Sequence, residues 1–97
     1  MIRLVNGPQL WKRTAYDPDK IPPVYQVMEL RFFKDGILHR NDGPAIEGIT
    51  EPERLEWIIN GKNITAEVLE YYKNLNIESE DMQKDNARMM FKLTFGG

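Results

Sequence analysis

The chain has 97 residues, 41% hydrophobic and 29% charged, the size and balance of one folded domain rather than a disordered tail. Its 13 Lys and Arg against 15 Asp and Glu leave a formal charge of −2, which excludes a chain-wide polybasic nucleic-acid binder and a polyanion mimic alike. The absence of cysteine excludes disulfides, thiolate metal sites and a cysteine nucleophile. Apolar runs of only a few residues predict no membrane helix and no signal-peptide core, hence a soluble, cytoplasmic domain without membrane contact.

In chain order, residues 1–23 read as an N-terminal strand and a Pro-rich loop. Ile2, Arg3, Leu4 and Val5 form the strand, and Asn6-Gly7 offers the two positive-φ positions of a type I′ turn. Residues 16–23 hold three prolines, too many lost donors for a ladder. Residues 24–63 read as hairpin repeats. Residues 24–33, rich in Val24, Tyr25, Val27, Phe32 and Phe33, form a strand that ends at Asp35-Gly36. Short strands at 37–40 and 45–48 flank the Asn41-Asp42-Gly43-Pro44 turn. Leu55, Trp57 and Ile59 then alternate on one face of a strand closed by Asn60-Gly61.

Residues 64–78 read as a helix centred on 66–75, with Thr65 as N-cap and Glu67 in the first turn. Val68, Leu69, Tyr72 and Leu75 share its inner face against Trp57, and Asn74 or Asn76 stops it. Residues 79–97 read as a short helical turn or loop at 79–86 followed by a terminal strand over 88–95, because Met89, Phe91, Leu93 and Phe95 alternate. The alternative is a second helix capped by Ser79 and running through Met82, Asn86 and Met89. The turns expose an internal repeat: residues 31–38 overlay residues 56–63, each with an aromatic three residues before its turn. The expected fold is α+β, a small antiparallel β-meander of hairpins with one helix in its C-terminal half packed on it.

The string DGILHRNDGPA at residues 35–45, followed by Glu56-Trp57-Ile58-Ile59-Asn60-Gly61-Lys62, resembles the MORN-like hairpin unit W-x-x-NGK-x-H-R-x-DGPA of small phage and large-virus proteins. After Lys62 the match stops, where His-Arg and Asp-Gly-Pro would recur. The resemblance covers about residues 30–95 and implies stacked β-hairpins, a phage origin and a role in the cytoplasm of an infected bacterium; no single activity attaches to the family.

Asp35, Gly36, His39, Arg40, Asp42, Gly43, Pro44, Asn60 and Gly61 are read as a structural turn motif, with His39 bonded to Asp42 across the hairpin and Arg40 facing solvent. His39 is the single histidine, and Asp35, Asp42 and Glu47 have no spacing that gathers three ligands, so no metal and no cofactor is expected. Asp42 and Glu47 as paired catalytic acids would need a deep cleft that a small meander lacks. Trp11, Phe32 and Phe33 interleaved with Lys12, Arg13, Arg31, Lys34 and Arg40 could stack bases, a reading weakened by the balanced charge. The favoured function is a non-enzymatic phage accessory protein that binds and modulates or inhibits a host enzyme or defence component. The alternatives are a nucleotide or small-ligand binder that sequesters a host signal, or a minor structural protein. Trp11, Tyr16, Tyr25, Arg40, Met90 and Lys92 are the candidate partner-binding residues, and an edge strand at 88–95 would also permit a homodimer.

Overall fold

The computed structural model describes residues 4–96, an α+β arrangement of antiparallel strands and two α-helices. Ile2 and Arg3 of the expected first strand lie outside the described residues, and Leu4, Val5 and Asn6 are not in a strand. The first strand instead begins after them: β1 (Gly7–Tyr16) pairs along its whole length with β2 (Val24–Lys34), Gly7 opposite Phe33 and Tyr16 opposite Val24. Asn6-Gly7 is therefore no hairpin turn; Gly7 has φ 80°, but Asn6 is not in the left-handed region. Residues 17–23, with their three prolines, form the connecting loop as expected.

On its other side β2 pairs with β3 (Ile37–Leu38) and β4 (Ile46–Gly48), and β4 pairs with β5 (Leu55–Glu56). A second, two-stranded sheet joins β6 (Ile58–Ile59) to β7 (Lys62–Asn63). The other two of the three expected type I′ turns form, with φ 52° and 79° at Asp35 and Gly36 and φ 49° and 80° at Asn60 and Gly61.

The internal repeat is visible in the backbone bonds. His39 N–H donates to Phe32 O at 2.9 Å, and Ile64 N–H donates to Trp57 O at 2.8 Å, the same bond one unit later. Successive units also clasp each other. Leu38 O accepts from Gly61 N–H at 2.8 Å, and His39 Nδ1 accepts from Asn60 N–H at 2.8 Å. One step earlier, Val5 O accepts from Gly36 N–H at 2.8 Å, and Asn6 Oδ1 accepts from Asp35 N–H at 3.0 Å. Val5-Asn6 thus stands to the first unit as Leu38-His39 stands to the second.

α1 (Thr65–Asn74) closes the series. In the first unit Phe32 N–H donates to Ala45 O, immediately before the following strand β4. In the second there is no such strand, and Trp57 N–H donates to Thr65 Oγ1 at 3.0 Å. Thr65 is accordingly the first residue of the helix rather than its N-cap: Ile64 holds that position, and Asn63 Oδ1 accepts from Thr65 N–H at 3.0 Å. The C-terminus is a Schellman turn at Asn76, φ 57°, with Ile77 N–H on Tyr72 O and Asn76 N–H on Lys73 O.

The expected terminal strand over 88–95 is a helix, α2 (Asp85–Thr94). Phe91 and Phe95, four apart, satisfy a period of two and a helical i, i+4 stripe equally well. The residues that decide are Met89 and Leu93, both exposed, and Ala87, buried one turn before Phe91. Apart from Thr94 the segment holds no β-branched residue, and Asp85 and Lys92 complement the helix dipole.

The main core joins the two helices to the second unit through Trp57, Val68, Tyr72, Ala87 and Phe91. The Trp57 and Tyr72 rings meet edge-on at 6.0 Å, and Tyr72 OH donates to Ala87 O at 2.9 Å, so the expected packing of helix on Trp57 holds. Leu69 and Leu75, read as core residues, are 42% and 41% exposed. The buried stripe is Val68 and Tyr72, flanked by Tyr71. A smaller cluster of Ala45, Ile46 and Ile58, with Leu38 against it, links the two units.

Candidate interaction surface

The 35–45 motif is an internal brace. Arg40, expected at the solvent face, is the hub: its Nε donates to Asp42 Oδ1 at 2.8 Å and its Nη1 to Pro44 O at 3.2 Å and to Glu47 Oε1 at 2.5 Å. Its guanidinium lies 4.0 Å from the centroid of the Phe32 ring, and its side chain is only 14% exposed. Arg40 is thus unavailable as a partner contact. The expected His39–Asp42 bond is absent; His39 serves the next turn and Asp42 serves Arg40. Burial, then the charge of Lys34, lowers the His39 pKa below its ordinary 6.5, in keeping with an imidazole that must keep Nδ1 free of a proton to accept. Gly43 has no left-handed φ, against the expectation of an unusual dihedral; the Arg40 and Arg88 guanidinium groups crowd it.

Asp42 and Glu47 are both held in ion pairs with Arg40. The Arg40 hydrogen bond holds Asp42 below the ordinary carboxyl range, opposite to the shift a general acid needs, and Glu47 also lies 3.6 Å from Arg88. Among the described residues no group of three metal-ligating side chains converges. Lys34, His39, Arg40 and Asp42 do line a shallow depression of about 410 Å³, but its cation at Arg40 is already bonded.

A second ion-pair chain, not read from the sequence, crosses the sheet. Glu29, 2% exposed, accepts from Arg31 at 2.9 Å and Arg54 at 3.1 Å; Arg54 also reaches Glu56 at 3.1 Å. Asn63 Nδ2 donates to Glu56 at 3.1 Å and so joins the network to the start of α1. Of the basic residues that could contact phosphates, Arg31 and Arg40 are therefore engaged internally, whereas Lys12, Arg13 and Lys34 have no ion pair among the described residues.

The candidate partner residues separate. Trp11 (46% exposed) and Tyr16 (70%) lie on β1, and half-buried Tyr25 lies across from Ala15 on β2 with Lys20 Nζ 4.1 Å over its ring. Half-buried Met90 and exposed Lys92 sit on α2, where there is no strand edge to pair. Sequence reasoning missed the better surface. β1 ends the sheet, and its ladder phase is fixed by the bond from Asp17 N–H to Pro23 O at 2.8 Å. Counting back through the register, Gly7, Gln9, Trp11, Arg13 and Ala15 turn their backbone groups toward β2. Leu10, Lys12, Thr14 and Tyr16 therefore aim N–H and C=O outward, and among the described residues no strand meets them. The loop signal at residues 16–23 could have located this ribbon, since a three-proline connection beside the 24–33 strand marks the turn of a long hairpin.

Among the described residues no helix is long and apolar enough to cross a membrane. Compared with known proteins, the chain matches no family model, and neither curated proteins nor solved structures give a match.

Proposed function

We propose that this chain is a small viral accessory protein that acts by binding a host protein, with β1 and the β1–β2 ribbon as its binding element. The observation that carries the reading is the ten-residue outer edge of β1, unpaired and flanked by exposed Leu10 (53%), Trp11 and Tyr16. An open edge of that length invites addition of another strand, and folded proteins normally cover, shorten or distort such edges. The viral assignment draws on the 35–45 motif and its resemblance to phage hairpin repeats. Binding rather than catalysis is supported by the engagement of Arg40 with both Asp42 and Glu47, which ties the motif's cation to its own fold. The 410 Å³ depression is open and shallow, unlike the deep pocket expected of a small-molecule site.

The test is photo-crosslinking in a bacterial lysate from a crosslinking amino acid at position 12, with a second placed at position 73 on exposed Lys73 of α1. A host protein captured from position 12, and lost when Leu10→Asp and Tyr16→Asp are introduced with unchanged melting, supports the reading. Capture only from position 73, or capture indifferent to those substitutions, overturns it.

A further inference from the structure

We propose that the outer edge of β1 takes an extended segment of its partner as an added strand, and that this segment is acidic, with two adjacent apolar residues beside two adjacent acids. The inference rests on the binding function proposed above and specifies the chemistry of the partner.

Three observations select that chemistry. The chain as a whole is acidic, at −2, yet β1 carries Lys12 and Arg13 and no acid anywhere between Gly7 and Tyr16. The acid across from it, Glu29 opposite Trp11, is buried and already shared by Arg31 and Arg54, so it neutralises nothing at the edge. Arg31, itself paired with Glu29, lies over the Trp11 ring with its guanidinium carbon 4.6 Å from the centroid, so that network leaves no surplus negative charge beside Lys12 and Arg13.

Geometry then fixes the pattern. Leu10 and Trp11 lie on opposite faces of β1, as do Lys12 and Arg13. A strand added along the edge therefore meets an apolar side chain on each face and, two residues on, a cation on each face. Cross-strand neighbours of opposite charge stabilise a pair and like charges oppose it. That argues against a second copy of this chain as the occupant. An antiparallel β1–β1 pair centred on Lys12, the middle of the outward-facing residues, would set the Lys12 side chains of the two copies directly opposite each other. It argues against a nucleic acid as well, since the outward groups of Leu10, Lys12, Thr14 and Tyr16 are alternating peptide donors and acceptors matched to another backbone.

The probe is a fluorescein-labelled peptide, Ser-Thr-Glu-Asp-Val-Ile-Thr-Ser, measured by anisotropy at low salt beside its Gln-Asn isostere and a ten-nucleotide thymidine strand. The acidic peptide is expected to bind at least about tenfold more tightly than the isostere, a difference a pair of cross-strand ion pairs can supply. Thr14→Pro removes one outward N–H without touching the β2 ladder and is expected to abolish binding. Should that variant fail to fold, Lys12→Glu with Arg13→Glu keeps the backbone and is expected to shift preference to a Lys-Lys version of the peptide. Equal binding of peptide and isostere, or binding of the thymidine strand that survives Thr14→Pro, overturns the proposal. Position-12 crosslinks that map to a neutral or basic segment of a host protein overturn the acidic class while the binding function stands. Loss of both peptide binding and position-12 capture overturns both.

Discussion

At the scale of single residues, two side chains do the same job by different chemistry. Asn6 Oδ1 and His39 Nδ1 each accept a turn N–H from the unit that follows. The histidine version is sensitive to pH because a protonated Nδ1 cannot accept. Its pKa is lowered by folding, so between the lowered value and about 6.5 the unfolded chain binds more protons than the folded one. His39's contribution to stability is therefore complete above pH 6.5 and declines as the pH falls from there toward the folded value. His39→Asn borrows the Asn6 solution. It is expected to melt within ~1 kcal/mol of the wild type at pH 7.5 and to gain on it steadily toward pH 5. Parallel pH curves for the two proteins would remove the imidazole from the turn.

Glycines separate by what surrounds them. A Cβ on Gly43 would come within 3.1 Å of the Arg88 guanidinium, a flexible group that can yield. One on Gly48 would fall 1.9 Å from the backbone oxygen of Glu51, which cannot yield without opening the 48–54 loop and its Gly48 N–H to Arg54 O bond. Gly48→Ala is expected to cost ~3 kcal/mol or more in chemical denaturation, and Gly43→Ala about 1 kcal/mol. Equal losses would contradict the packing around Gly48. The turn motif drew attention to Gly43 in the sequence; nothing local marks Gly48, because the clash is with a loop that only the fold brings close.

At the scale of elements, Thr65 decides how the repeat ends. Its hydroxyl accepts from Trp57 N–H and donates to Asn63 Oδ1, a position filled in the preceding unit by the Ala45 carbonyl. Thr65→Val keeps the shape but leaves a backbone donor of a buried residue without its partner. The expected loss is ~1–3 kcal/mol, with Thr65→Ser near wild type, read from urea melts of both variants. Elements with a local signature were legible in the sequence: the Asp35-Gly36 and Asn60-Gly61 turns, the 25-residue offset between them, and the helix that packs on Trp57. Elements whose signature is ambiguous were not. Phe91 and Phe95 fit both periods, so α2 reads as a strand until small, buried Ala87 is seen to lie on the core stripe. β1 is hidden for another reason. It is exposed on both faces over most of its length, so burial imposes no clear alternation on its sequence, and only pairing with β2 makes it a strand. The surface proposed for binding was therefore legible only as scattered aromatics.

At the scale of the whole molecule, the described chain is flat and open: 45 × 42 × 20 Å, with a radius of gyration of 15.1 Å against about 13 Å for a compact domain of this size. The β1–β2 ribbon extends past the short β4 partner, which reaches only as far as Glu29 on β2. At the ribbon's far end the side chains of Ile21, Val24 and Tyr16 are all exposed.

The hand-over of bonds from Val5-Asn6 to Asp35-Gly36, and again from Leu38-His39 to Asn60-Gly61, makes the central unit an interchangeable part. Each hairpin receives on one side what it gives on the other, while a start piece and a helical stop occupy the two ends. Chains assembled this way gain stability chiefly from contacts between adjacent units. Tandem duplication of residues 35–59 would insert a unit carrying both its receiving turn and its offered Leu-His pair. The lengthened protein is expected to fold with a single transition and a higher midpoint in urea, and to grow along one dimension in solution scattering. A lower midpoint, or a separate early transition for the insert, would mean that this unit is locked to its neighbours by more than the shared bonds. If it behaves as expected, length becomes a property that evolution or an engineer can dial in this architecture without redesigning either end.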